Sequence, residues 1–132
     1  MVSPISSLRV ASGLLLGAQA GEWVGGLQFH PDSGEAVEIL PWDVTAIEIW
    51  RGTILVAANG PSWNMNRGMG FEVSLTSDGA SIQPWFVLPG DALDLWQSKQ
   101  GALVIECVGG VLVFSDDDEF RFLFEPAREQ ER

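Results

Sequence analysis

Apolar and polar residues alternate at period two in Ile47-Glu48-Ile49-Trp50-Arg51 and in Phe71-Glu72-Val73-Ser74-Leu75, the spacing of strands with one face against a core. Three other stretches, Leu14–Leu16, Ile54–Val56 and Leu103–Ile105, are apolar throughout, as strands buried on both faces are. Glycines and prolines, 15 and 7 of them, punctuate the chain between these runs. The pattern predicts strands near Ser6–Ala11, Leu14–Ala18, Trp23–Phe29, Ala36–Leu40, Ala46–Trp50, Thr53–Ala58, Met69–Leu75, Ser81–Phe86, Leu93–Trp96, Ala102–Cys107, Val111–Phe114 and Phe120–Phe124. No stretch before the tail carries a helical stripe of three turns, so the chain is expected to be all-β.

These strands recur in units of about 43 residues, most plainly where Ile39-Leu40-Pro41-Trp42 returns as Ile82-Gln83-Pro84-Trp85. Three four-stranded antiparallel repeats, about 2–40, 43–87 and 90–124, fill one expected domain over residues 1–125, and 126–132 is a polar tail, expected to fray. Tight turns are expected at Ser12-Gly13, Pro31–Gly34, Arg51-Gly52 and Ser77–Gly79, and at Gly101 before the central strand of the third unit. One such unit cannot bury its own apolar faces, so the fold must come from packing copies together.

Composition narrows the picture. A chain of 132 residues with 46% apolar and 19% charged residues builds a core without a disulfide or metal. The single cysteine, Cys107, forbids an intrachain disulfide and reads as a small buried hydrophobe. Met1-Val2-Ser3-Pro4 lacks the basic start of a secretory signal and no apolar run reaches membrane length, which gives a cytoplasmic expectation. The net charge of −11 disfavours nucleic acid and anionic membranes and favours a basic protein surface.

The stretch from Gly101 to Asp118, two apolar runs around Gly109-Gly110 leading to Ser115-Asp116, resembles the inner hairpin of β-propeller blades of the Asp-box and photosystem-assembly-factor type. Ser77-Asp78-Gly79 followed by Trp85, with Ser74 upstream, is similar to the box itself, and the first unit carries Phe29-His30-Pro31-Asp32-Ser33-Gly34. The resemblance implies a structural role for Asp32, Asp78 and Asp117, whose carboxylates would receive backbone N–H groups. Sialidases sharing this box rely on a tyrosine nucleophile, and this chain has no tyrosine. Three blades do not close a ring. The expected architecture is therefore a half-propeller, making six blades as a homodimer; a monomeric β-trefoil is the alternative and needs no partner.

Candidate chemistry is sparse. His30 is the only histidine, no Gly-x-Ser-x-Gly elbow occurs, and one cysteine with one histidine cannot furnish a zinc site. The run Asp116-Asp117-Asp118-Glu119 lacks the glycine and ligand alternation of a calcium loop and reads as a solvated turn. A non-enzymatic protein with no cofactor is expected. Of six tryptophans, Trp50 and Trp96 recur at one place in the units and Trp42 and Trp85 at another, which points to packing between units. Trp63 differs. It lies with Asn64, Asn66 and Arg67 in an insertion carried by the second unit alone, where binding residues tend to sit.

Trp63, Asn64, Asn66, Arg67, Asp116, Asp117, Asp118 and Glu119 are accordingly the expected partner-binding residues, forming one surface for a basic protein partner. The concrete form is an inhibitor or immunity-type protein covering a toxin or nuclease domain. A lectin-like module, with tryptophans stacked on sugars, is the alternative. The propeller resemblance implies a further one, an assembly or stability factor.

Overall fold

The computed structural model describes residues 3–20, 23–60, 68–76, 79–115 and 120–123, and among them the chain is all-β with no helix. The first sheet contains β1 (Ser3–Val10), β2 (Gly13–Ala20), β3 (Trp23–Pro31) and β4 (Val37–Leu40). The second contains β5 (Asp43–Trp50), β6 (Thr53–Asn59), β7 (Gly68–Thr76) and β8 (Gly79–Val87). The third contains β9 (Ala92–Gln97), β10 (Leu103–Cys107), β11 (Gly110–Phe114) and β12 (Phe120–Leu123). Each sheet is an antiparallel meander in which chain neighbours are sheet neighbours. All twelve expected strands are present, with ends shifted by at most a few residues; Phe124 lies outside the described residues.

The sheets stack face to face with the second in the middle, and β5 packs against β1 on one side and β9 on the other. Residues paired across an antiparallel ladder share a face, so register divides each sheet's side chains. On one face of the second sheet Val44, Ile54, Val56, Ala58, Phe71 and Val73 meet Leu15, Leu27, Phe29 and Leu40 of the first. On its other face Ala46, Trp50, Leu55 and Ala57 meet Leu95, Leu103, Ile105, Cys107 and Leu112 of the third. This is why β6 is buried from Ile54 to Asn59 with no polar alternation. At about 25 cal/mol per Å² of apolar surface, the second sheet contributes to both inter-sheet cores, and each outer sheet to one of them.

The trefoil alternative is overturned. Among the described residues no closed barrel forms, because each unit completes its own four-stranded sheet and meets the next through side chains. The two terminal faces differ. On the outer face of the first sheet Ser7, Arg9, Gln28 and Glu38 are exposed, while Leu14, Leu16 and His30 are half-buried. On the far face of the third sheet Trp96, Val104, Val111 and Val113 form a separate cluster that is already buried. Closing a six-bladed ring from two copies would press one of these faces on the other. Among the described residues one is polar and the apolar cluster of the other is already buried, so the expected homodimer draws no support from them.

The Asp-turn expectation meets a different geometry in the first unit. The Asp32 carboxylate receives the Arg9 guanidinium at 2.6 Å, an exposed ion pair, and Asp32 N–H donates to the Ser12 carbonyl at 3.0 Å, tying the end of β3 to the β1–β2 turn. Asp78 and Asp117 lie outside the described residues.

Arg51 and Gly52 join β5 to β6 with φ of 53° and 77°, the two left-handed residues of a hairpin turn whose twist suits the strands. Gly101, with φ of 87°, precedes β10 as expected. A Cβ on Gly52 would touch nothing within 4 Å, so the strain of a substitution there is conformational alone. Gly52→Val is expected to destabilise the fold by about 1–3 kcal/mol, read as a lower midpoint in urea with an unchanged slope. An unchanged midpoint contradicts this turn geometry.

Candidate functional site

Loops gather at the two ends of the stack. At one end, β6 finishes at Asn59, the one buried polar side chain among the described residues. Its amide donates to the Ala92 carbonyl at 3.0 Å and its carbonyl accepts from Ala92 N–H at 2.6 Å, which fastens the second sheet to the start of the third. A Cβ on Gly68 would collide with the Gly90 carbonyl, and one on Gly90 with the Val108 carbonyl, so only glycines allow these backbones to approach so closely. Leu88 N–H donates to Gly68 O and Val108 N–H to Asp91 O, bonds that extend the β7–β8 and β9–β10 ladders at this end.

At the other end the Arg51-Gly52 turn meets the loop before β10 and the exit of β11. Trp50 donates its indole N–H to Gly101 O at 2.9 Å, and Arg51 donates to Ser115 O at 3.3 Å while its guanidinium sits 4.6 Å from the Trp50 ring centroid. Gln97 donates to Ile49 O and to the Glu48 carboxylate, so the second and third sheets are stitched here as well.

An aromatic rim fills the gap between β8 and the β11–β12 hairpin. Phe114 stacks on Phe120 at 5.5 Å with 24° between the planes, Phe86 meets Phe114 edge-on at 5.4 Å and Phe120 at 5.6 Å, and Trp85 lies 4.9 Å from Phe114. Such pairs add about 0.5–1.5 kcal/mol each beyond burial. The rim is not closed over: Phe120 is 53% exposed.

The expected partner-binding residues themselves, Trp63, Asn64, Asn66 and Arg67 between β6 and β7 and Asp116, Asp117, Asp118 and Glu119 between β11 and β12, lie outside the described residues. Their flanking residues are described. The insertion leaves from Asn59 and returns at Gly68, while the acidic run is held between Phe114 and Phe120, a directly opposed pair near the Arg51-Gly52 turn. The seven residues of β6 separate the two ends, on the order of 20 Å. The expected surface thus has two roots, one at Asn59 and Gly68 and one at Phe114 and Phe120, and the second touches Phe86, which pairs with Gly70 near the first.

The aromatic rim was missed in the sequence reading, although Phe114 and Phe120 bracketing the acidic run was its legible sign. The packing expectation for tryptophan is met at Trp50, buried between sheets, and at Trp85, which contacts Phe114 of the next unit. It is met also at Trp42, which follows the first unit and packs edge-on against Phe71 of the second at 5.2 Å, whereas Trp96 lies on the far face of the third sheet.

Other chemistry is limited. His30 shares a hydrogen bond with the Gln28 side chain on the outer face of the first sheet. Burial pushes the Cys107 thiol above its ordinary value, the nearby Glu106 charge adds to this, and a hydrogen bond from the Gly90 backbone opposes it; the group is a neutral thiol at pH 7. Among the described residues no group of three His, Cys, Asp or Glu is placed to hold a metal ion, and no helix is long and apolar enough to cross a membrane. No protein-family model, curated protein or solved structure matches the chain. The likeness to Asp-box blades accordingly rests on the residues quoted for it.

Asn59 supports the insertion root. Asn59→Ala would leave the Ala92 N–H and C=O without their partner in a buried setting, and about 2–4 kcal/mol of stability should be lost. Chemical denaturation measures it, and a loss below that of an ordinary surface substitution contradicts the tie.

Proposed function

We propose that the protein is a non-enzymatic binding protein that captures a basic protein partner, in the manner of an inhibitor or immunity protein covering a cationic toxin or nuclease domain. The observation that supports this reading is the setting of the acidic run: Asp116 to Glu119 are carried by a hairpin closed by Phe114 and Phe120, beside an aromatic rim open to solvent, in a chain of net charge −11. Carboxylates steer a cationic partner toward this end, and aromatic area holds it once docked. The insertion with Trp63, Asn64, Asn66 and Arg67 supplies the second contact region. A standard interface of about 800 Å² per partner is roughly 30 Å across, wide enough to cover both roots.

The lectin-like reading draws less support, because Trp50 and Trp96 are buried and Trp42 and Trp85 are half-buried in packing contacts. A cytoplasmic setting, in which a lone thiol stays reduced, accords with capture of a basic protein there.

The test uses the cationic protein retained by this chain from its source lysate at low salt, with rates measured by surface plasmon resonance. Changing Asp116, Asp117 and Asp118 to asparagine should slow association and flatten its salt dependence, and Trp63→Ala should speed dissociation by an amount worth roughly 2 kcal/mol. Association that is independent of salt in the parent protein and unchanged in the triple variant contradicts the proposal.

A further inference from the structure

The geometry points to Phe120 as a stacking shelf for a guanidinium or ammonium side chain of the partner, a refinement that rests on the reading of basic-protein capture. Phe120 is one of the largest exposed apolar side chains among the described residues, 53% open, yet it is held in place. Phe114 stacks beneath it and Phe86 meets it at 73°, and Phe114 is itself fixed by Trp85 and Phe86, so the exposed ring keeps its orientation without a partner. Held rings lose little freedom on binding, which is what makes an aromatic anchor effective.

The occupant follows from charge. An aromatic face carries a negative quadrupole and attracts a cation placed over it. In the chain Phe120 is preceded by four carboxylates, Asp116 to Glu119, and followed by one cation, Arg121, in a protein of net charge −11, so long-range attraction favours a cationic occupant. The same aromatic assembly already holds a guanidinium of the protein's own: Arg51 lies 4.6 Å from the centroid of Trp50, which contacts Phe114 at 6.4 Å. A partner's arginine or lysine would repeat on Phe120 what Arg51 does on Trp50. Arginine is the better fit, since its planar, weakly hydrated head stacks on a ring while lysine presents a compact hydrated charge.

The test is binding of fluorescein-labelled hexaarginine and hexalysine to the full chain at low salt, read by anisotropy, for the parent protein, Phe120→Leu and the triple asparagine variant. Leucine keeps apolar bulk at an exposed position and removes the ring, and an unchanged melting temperature confirms that the fold is intact. The expected result is tighter binding of hexaarginine than of hexalysine, weakened about three- to tenfold by Phe120→Leu, with the triple variant weaker again and less sensitive to salt. Phe120→Leu binding like the parent while the triple variant weakens overturns the shelf and leaves capture by charge standing. A loss in Phe120→Leu with the triple variant unchanged overturns capture by charge and keeps the stacking. No binding of either peptide by the parent overturns both.

Discussion

The rest of the structure depends on the burial of the middle sheet on both of its faces. Ile54, Val56 and Ala58 of β6 point one way and Leu55 and Ala57 the other, so neither outer sheet can leave without uncovering apolar surface. A unit of about 43 residues buries too little of its own surface to stand alone. Three in contact share two cores, and the inner strands β1, β5 and β9 are thereby brought side by side.

That arrangement determines where function can be placed. The faces are occupied by packing or, on the first sheet, by a polar surface, and the free variation is left to the strand ends. One end is tied by Asn59 and by glycine-mediated backbone approaches; the other is tied by Trp50, Arg51 and Gln97. Each end combines a rigid base with a loop unlike those of the other repeats, which is the usual division between scaffold and recognition surface. The β11–β12 hairpin adds an aromatic rim, in which Phe114 and Phe120 stack beside Phe86 and Trp85.

Much of the scaffold was legible in the sequence because it is local. Period-two alternation gave β5 and β7, uninterrupted apolar runs gave β6 and β10, and the glycines at 52 and 101 gave turns whose positive φ only a residue without Cβ adopts easily. Tertiary consequences were less legible. Asn59 reads as the start of a polar insertion, and only the packing of two sheets turns it into a buried clamp on Ala92. The rim needs the pairing register of β11 with β12 and the stacking of β8 beside them, neither of which periodicity specifies. Likewise, how the roots of the insertion and of the acidic run lie relative to one another depends on the stacking of Phe86 on Phe114 and Phe120, which the sequence does not specify. Ring closure was inferred from the number of units; the character of the two terminal faces, which bears on it, depends on which residues share a face.

Native-state hydrogen exchange tests the central claim most directly, since it reports the free energy of opening each amide. If the doubly covered middle sheet holds the stack together, the amides of Leu55, Val56 and Ala57 exchange only through global unfolding, and those of Leu15 and Ile105 follow the same unfolding isotherm with denaturant. Exchange of Val56 through a lower-energy opening while Leu15 or Ile105 remains protected would contradict it.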